Sequence, residues 1–197
     1  DGGGDGDGDG GDDLNVGTSE NIKVLVRIRP ILGHETSNGR SAGKVVQRLD
    51  QGQLEVRGEE SRHKLTCKFD AVFGDESIQE DIYRHVSDCA VAVVEGFNAT
   101  VFAYGQTGSG KTHTMFGPPG HVQSLAYGSS PNEESGVIPR AIMQIFQLAG
   151  ELKHSKVSIY CSFVQIYNEQ LFDMLRDPDR ASPLEVHEDP KDGILVE

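Results

Sequence analysis

One eight-residue segment constrains the fold of this chain more than any other. Residues Gly105–Thr112 read Gly-Gln-Thr-Gly-Ser-Gly-Lys-Thr and satisfy the pattern G-x-x-x-x-G-K-[ST] at every specified position. The pattern belongs to a loop that follows a strand and opens a helix. Both neighbours are indicated, since residues 99–104 are apolar enough for a short strand and a helix is expected from about 110 to 116.

The residue types in this loop indicate a polyphosphate ligand. Glycine lets the backbone come close to a dense anion, and loop N–H groups with the positive end of a helix favour negative charge. Lys111 is the candidate catalytic cation at the β- and γ-phosphates, and the Thr112 hydroxyl is the candidate Mg²⁺ ligand. The pattern leaves ATP and GTP both open. The predicted phosphate-binding residues are Gly105, Gln106, Thr107, Gly108, Ser109, Gly110, Lys111 and Thr112.

Composition limits the other functions. A length of 197 residues suggests one domain or most of one. The net charge of −13 argues against nucleic acid as a partner, because that binding relies on clustered Lys and Arg. No apolar run approaches the roughly 20 residues that a membrane span needs. Residues 1–19 predict a disordered acidic tail, since residues 1–13 are seven Gly and six Asp.

Apolar periodicity and turn signals predict an α/β fold. Strands at 44–49, 53–57 and 64–69 predict a small antiparallel β appendage. Residues 156–168 are apolar on both faces, which is typical of a strand at the centre of a sheet. Strands that alternate with helices favour three layers, a central mixed sheet flanked by helices. The other predicted elements are a strand at 22–30, helices at 77–97 (with a capping box at 77–80), 139–148 and 169–175, and a hairpin joining 184–186 to 194–196.

Longer strings around these elements resemble the kinesin motor domain, which has a P-loop NTPase motor fold. The loop extends to Phe102-Ala-Tyr-Gly-Gln-Thr-Gly-Ser-Gly-Lys-Thr-His-Thr-Met115, in the form that the family uses. The resemblance covers about residues 20–197 and identifies them as the N-terminal part of such a domain. Six further segments follow in the family's order: 22–30 with its R-x-R-P ending, 69–73, 95–100, 136–140, 167–175 and 184–189.

The resemblance implies ATP and Mg²⁺ as cofactors and adds residues to the site. In kinesins the base of ATP lies between the proline of R-x-R-P and the histidine after G-K-T, which are Pro30 and His113 here. Arg27 and Arg29 share a strand face and precede Pro30 at the strand's carboxyl end, where open α/β sheets bind ligands. On the residues alone, either arginine could be an ordinary surface residue, and His113 an exposed helix residue.

The resemblance also implies microtubules as the partner. Residues 187–189 fall where the family's loop 8 region touches tubulin, within the predicted 184–196 hairpin, although a solvated hairpin explains them equally well. The main microtubule-binding surface, and any coiled coil that would form a homodimer, are expected outside these 197 residues. The expected location is the cytoplasm, on the microtubule cytoskeleton.

Two motifs that the family uses for hydrolysis do not occur in the 197 residues. These are switch I, N-x-x-S-S-R-S-H, and switch II, D-x-x-G-x-E. We therefore expect a truncated domain, the nucleotide-binding half of a microtubule-stimulated ATPase, which by itself is poorly stable and inactive. One alternative is a non-motile ATP-binding module that attaches to microtubules. A P-loop GTPase is disfavoured, because the guanine-reading motif N/T-K-x-D is absent.

Overall fold

A computed structural model of the chain describes residues 22–36, 45–58, 63–120, 130–152, 156–177, 182–191 and 193–196. The predicted tail at 1–19 lies outside the described residues. The chain divides into two units, Asp1–Leu148 and Ala149–Glu197. In chain order, the elements that begin in the first unit are β1 (Leu25–Arg27), α1 (Gly33–Thr36), β2 (Val46–Arg48), β3 (Gln53–Arg57), β4 (Lys64–Lys68), β5 (Ala71–Phe73), α2 (Gln79–Val86), α3 (Asp88–Val94), α4 (Lys111–Met115) and α5 (Val137–Glu151). Those of the second are β6 (Val164–Tyr167), β7 (Gln170–Asp173), β8 (Val186–Asp189) and β9 (Gly193–Val196).

Strands β1 and β5 form a parallel pair at the centre of the first unit. Their register places Leu25 opposite Ala71 and Arg27 opposite Phe73. The N–H of Ile28 continues the ladder by donating to the carbonyl of Phe73 at 2.9 Å. All three residues of β5 are buried, which is typical of a strand covered on both faces. The strand predicted at 22–30 is confirmed with narrower limits, and Arg27 occupies its carboxyl end.

Three helices cover this pair. Ala71 and Phe73 of β5 form a buried cluster with Ile82 of α2 and Val137 of α5, and Met115 of α4 packs against it. The periodic spacing of the apolar residues predicted α2, but the structure breaks the expected 77–97 helix at residue 87 into α2 and α3.

The predicted capping box is displaced by one residue. The structure has Ile78 at the helix N-cap, and its N–H donates to the Asp81 carboxylate at 3.1 Å. The Ser77 hydroxyl instead donates to the carbonyl of Gly74 at 2.6 Å, in the turn that precedes the helix. The physical reason is local competition, because a serine hydroxyl can satisfy a turn carbonyl as readily as a helix N–H.

The predicted antiparallel appendage is confirmed as a three-stranded sheet in the order β2-β3-β4. The predicted limits agree with the observed strands within two residues. Leu54 of β3 is buried on one face of this sheet. The neighbouring carboxylate of Glu55 pairs with Arg57 at 2.6 Å and with Lys64 at 3.4 Å.

Two predicted strands differ from the structure. Residues 99–104 have no strand, and Phe102 and Tyr104 are 78% and 95% exposed. Of the predicted strand at 156–168, only Val164–Tyr167 pairs with another strand, and Tyr160 is 93% exposed. A strand requires a hydrogen-bonded neighbour, and no described strand lies beside either missing segment. The α/β character is confirmed, while the central mixed sheet in three layers stays a prediction.

The helix predicted at 169–175 is wrong. Strand β6 turns at Asn168 and Glu169 and returns as β7, with Tyr167 opposite Gln170. Both turn residues have positive φ, 47° and 60°, as a two-residue hairpin turn requires when its twist matches that of the strands. The hairpin predicted to join 184–186 to 194–196 is confirmed, since β8 pairs with β9 in antiparallel register.

Candidate nucleotide-binding site

The glycine-rich loop opens a helix, as its pattern predicts, but the strand expected before it at residues 99–104 is not formed. Gly108 and Gly110 have φ values of 80° and 98°, a region that side chains with a Cβ rarely enter. Gly110 is the N-cap of α4, which begins at Lys111, so the left-handed residue joins the loop directly to the helix. The N–H of Ser109 donates to the carbonyl of Gln106 at 3.1 Å and tightens the loop between its first and last glycines.

The Lys111 ammonium lies over the start of the same loop. Its Nζ donates to the carbonyl of Gly105 at 2.8 Å and to that of Gln106 at 2.9 Å. These bonds fold a half-buried side chain back across the loop, so the fixed positive charge lies against the backbone that is predicted to hold phosphate. An ammonium in this place attracts a polyphosphate without needing any particular orientation of the anion.

Thr112 follows on the first turn of α4, and its side chain is exposed. Its carbonyl accepts the N–H of Phe116 at 2.8 Å, so its backbone is fixed within the helix. A hydroxyl oxygen is the hard donor that Mg²⁺ prefers, and that ion takes its other oxygens from water and phosphate. The half-buried Lys111 ammonium and the exposed Thr112 hydroxyl therefore fit a magnesium polyphosphate.

Arg27 comes to the phosphate-loop helix from strand β1. Its Nη1 donates to the Thr114 hydroxyl at 3.1 Å and to Gln79 Oε1 at 2.9 Å. Its Nη2 donates to the carbonyl of Ser77 at 3.0 Å. Burial lowers the pKa of Arg27 from its ordinary value, while nearby Asp81 opposes that shift. The structure thus joins this predicted site residue to α4 through its side chain, and contact with a base stays a prediction.

Arg29 and Pro30 face a different neighbour. The Arg29 guanidinium forms a two-pronged ion pair with the Glu35 carboxylate of α1, one prong measuring 2.8 Å. It also donates to the carbonyl of Pro30 at 3.1 Å. Pro30 is exposed. None of the contacts found in the described residues joins either of them to the phosphate loop, so their predicted role at the base rests on the family resemblance.

His113 lies on α4, next to Thr114, whose hydroxyl accepts a hydrogen bond from Arg27. The His113 ring is largely exposed, and its pKa is lowered by partial burial and by the charge of Arg27, with Glu134 acting in the opposite direction. The imidazole is therefore neutral at physiological pH, as suits a ring that would lie against an uncharged base. Contact between His113 and a base also stays a prediction.

Two residues at this site were not among those predicted. Gln79 is buried and donates to the carbonyls of His113 and Glu134, and Gly136 donates its N–H to the carbonyl of Phe116 at 3.1 Å. A signal for Gln79 exists, because it stands three residues before Ile82 and shares that residue's inward face of α2. A polar residue at an inward position must find partners, which the sequence cannot name.

The predicted tubulin-contacting segment lies on the β8–β9 hairpin. His187 and Glu188 are exposed, and His187 lies 3.5 Å from the Glu185 carboxylate. The N–H of Lys191 donates to Asp189 Oδ1 at 2.7 Å and shapes the turn. The hairpin therefore exposes to solvent an edge that carries acidic side chains and a histidine.

In the part of the chain that the structure describes, no helix combines the length and apolar character needed to cross a membrane.

Comparison with known proteins identifies the family of this chain. The family model of the kinesin motor domain matches residues 27–197. The chain is 38% identical over 176 residues to kinesin-like protein KIF27 of Mus musculus, an alignment that covers 89% of this chain and 12% of the relative. It is 38% identical over 190 residues to kinesin-like protein KIN-5C of Arabidopsis thaliana, covering 89% and 18%. It is 37% identical over 186 residues to kinesin-like protein KIF11-A of Xenopus laevis, covering 90% and 17%.

A phosphate loop that opens a helix, within a unit that mixes parallel and antiparallel strands with helices, agrees with the fold of P-loop NTPases. The family match extends over most of the chain, and the relatives align with nearly nine-tenths of it. This chain belongs to the kinesin motor-domain family. It spans less than a fifth of the length of these curated relatives.

Proposed function

We propose that this chain is the nucleotide-binding half of the head of an ATP-dependent microtubule motor. The observation that carries the proposal is the position of the Lys111 ammonium, which donates to the carbonyls of Gly105 and Gln106 at 2.8 Å and 2.9 Å. The glycines of this loop have positive φ. Lys111 and the loop N–H groups bind the phosphates, and Thr112 provides a hydroxyl for Mg²⁺. Bound ATP supplies the phosphoryl group whose transfer the complete enzyme would catalyse.

The base of ATP is proposed to lie between Pro30 and His113. Support comes from the exposure of both side chains and from the lowered pKa of His113, which keeps its ring uncharged. Arg29 flanks Pro30 and is proposed to border the base. Arg27 is proposed to act on the site indirectly, through its hydrogen bond to the Thr114 hydroxyl of α4.

Equilibrium binding of a fluorescent ATP analogue, with and without Mg²⁺, tests the proposal on this chain. We expect Lys111→Ala to weaken binding at least about tenfold, because the phosphates lose a fixed positive charge. Lys68→Ala is the matched control, since Lys68 is an exposed lysine on the β appendage. Unlabelled ATP should displace the analogue more effectively than GTP. Equal affinity of the wild type and Lys111→Ala for the ATP analogue would refute the proposal.

Microtubules are the proposed partner, with the β8–β9 hairpin as one contact and the main contact outside these 197 residues. Cosedimentation of the whole protein with microtubules tests this, and Glu188→Lys on the hairpin should change the fraction bound. We expect such a protein in the cytoplasm, on the microtubule cytoskeleton, with a coiled coil outside this chain for any homodimer.

Hydrolysis is proposed for the whole protein and not for these 197 residues, which contain neither switch motif. The chain alone should bind nucleotide yet show no turnover stimulated by microtubules. Turnover at motor-like rates by the chain alone would contradict this. A whole protein that binds both ATP and microtubules without hydrolysis would instead be a non-motile attachment module.

A further inference from the structure

We propose that Gln79 is a positioning residue for the phosphate loop. Its amide connects helix α4 to strand β1 and to the segment before α5, and so fixes where Lys111 and Thr112 lie. The inference rests on the proposed function, because a phosphate loop that binds no nucleotide has nothing to position.

Every polar atom of the Gln79 side chain is used. The residue is 5% exposed, and its Oε1 accepts a hydrogen bond from Arg27 Nη1 at 2.9 Å. Its Nε2 donates to the carbonyl of His113 at 2.7 Å and to that of Glu134 at 3.3 Å. An amide is required here, because one end must accept from a guanidinium while the other donates to two carbonyls.

Helix α4 needs such external support. It has five residues, Lys111–Met115, and a helix this short has little stability of its own in water. Gln79 holds the carbonyl of His113, and Arg27 holds the hydroxyl of the next residue, Thr114, at 3.1 Å. Each residue advances a helix by about 1.5 Å, so these anchors lie within roughly 5 Å of Lys111 along the axis. A shift at the anchors therefore reaches Lys111 and Thr112 almost undiminished.

Gln79 and Arg27 also depend on each other. The Arg27 guanidinium is half-buried, and Gln79 Oε1 is one of its three acceptors. Removing the amide leaves that charge with fewer acceptors and takes one donor from each of two carbonyls, of which that of His113 keeps the N–H of Gly117. Buried polar groups that lose partners force local rearrangement. The rearrangement would centre on α4, because both residues bond to it.

The test compares three variants of the whole chain. Gln79→Leu removes all three hydrogen bonds at similar volume. Gln79→Glu keeps an oxygen for Arg27 but loses both donors. Tyr83→Phe is the matched control, since the Tyr83 hydroxyl on the same helix bonds Gln144 of α5 and not α4. Affinity for a fluorescent ADP is measured with and without Mg²⁺, together with hydrogen exchange of the backbone amides at 114–117.

We expect Gln79→Leu and Gln79→Glu to weaken nucleotide binding by at least about tenfold, as small misplacements at an active site can. The gain in affinity from Mg²⁺ should shrink, because Thr112 moves with α4, and amide exchange at 114–117 should quicken. Tyr83→Phe should leave all three unchanged. If Gln79→Leu does not fold, the Gln79→Glu comparison decides.

The inference would be overturned if the backbone amides at 114–117 exchanged as slowly in both Gln79 variants as in the wild type, whatever the nucleotide affinity. Equal losses of affinity in the Gln79 variants and Tyr83→Phe would also overturn it, because the amide would then act only on general stability. A wild-type chain that binds no nucleotide, with exchange quickened in the Gln79 variants, would refute the proposed function and leave the anchoring of α4 standing.

Discussion

A methyl group added at Gly136 would meet backbone atoms that cannot move aside. An ideal Cβ at this position would lie 2.5 Å from the carbonyl carbon of Met115, and 2.6 Å from both the oxygen of Met115 and the nitrogen of Phe116. The Gly136 N–H also donates to the carbonyl of Phe116 at 3.1 Å. The segment before α5 is therefore in direct contact with the end of α4, and only glycine permits it.

The cost of Gly136→Ala follows from these distances. Non-bonded carbon atoms prefer separations of about 3.5–4.0 Å, so the new methyl group overlaps its neighbours by about 1 Å. Overpacking of this kind costs about 1–3 kcal/mol, and loss of the Gly136–Phe116 hydrogen bond adds about 1 kcal/mol. We expect a loss of about 2–4 kcal/mol. At roughly 2–4 °C per kcal/mol, the Tm should fall by about 5–15 °C.

Thermal and urea unfolding followed by circular dichroism measure this loss. Gly150→Ala is the control, because Gly150 lies within α5 and an added Cβ there would meet no heavy atom within 4 Å. That change should leave the free energy of unfolding unchanged or slightly higher, because the added Cβ meets no atom and alanine suits a helix better than glycine. A Gly136→Ala chain as stable as the wild type would refute the close approach of these two segments.

Two further predictions concern the core and the β appendage. Ile82→Ala should lower the free energy of unfolding by about 2–5 kcal/mol, because Ile82 is 5% exposed, whereas Ile142→Ala, at a half-exposed position of α5, should cost far less. A hydrogen bond from Arg57 holds the pKa of Glu55 below its ordinary value of 4.5, although burial opposes the shift. The stability that Glu55 contributes is therefore complete above pH 4.5 and is lost as the pH falls through the lowered pKa. In Glu55→Gln, the urea concentration at the unfolding midpoint should therefore depend less on pH across this range than it does in the wild type.

Elements that depend on neighbouring residues were predictable. The helix after the glycine-rich loop was expected at 110–116 and is found at Lys111–Met115, because the loop pattern itself specifies a left-handed residue at the helix start. The three appendage strands were predicted for a similar reason, since turn residues separate short alternating runs. In each case the signal and its cause lie within about ten residues.

Elements that depend on distant partners were not predictable. The run at 156–168 has the composition of a central strand, yet a strand exists only beside a neighbour, and only Val164–Tyr167 has one. The β6–β7 turn was missed because Glu169 is an unusual residue at positive φ, so the sequence carried no strong turn signal. The direction of Arg27 is a similar case, since its bonds to Gln79 and Thr114 cross 52 and 87 residues of chain.

The difference between local and distant contacts also applies to the phosphate loop and the helix that follows it. Lys111 is attached to carbonyls five and six residues away, so the inner geometry of the loop is local and should persist when tertiary contacts weaken. Helix α4 is instead held by Arg27, Gln79 and Gly136, which come from three other segments of the chain. Loss of those contacts would leave the loop intact and move Lys111 and Thr112 together. On the proposed function, the G-x-x-x-x-G-K-[ST] pattern supplies the residues that bind phosphate, and the packing around α4 decides where Lys111 and Thr112 lie.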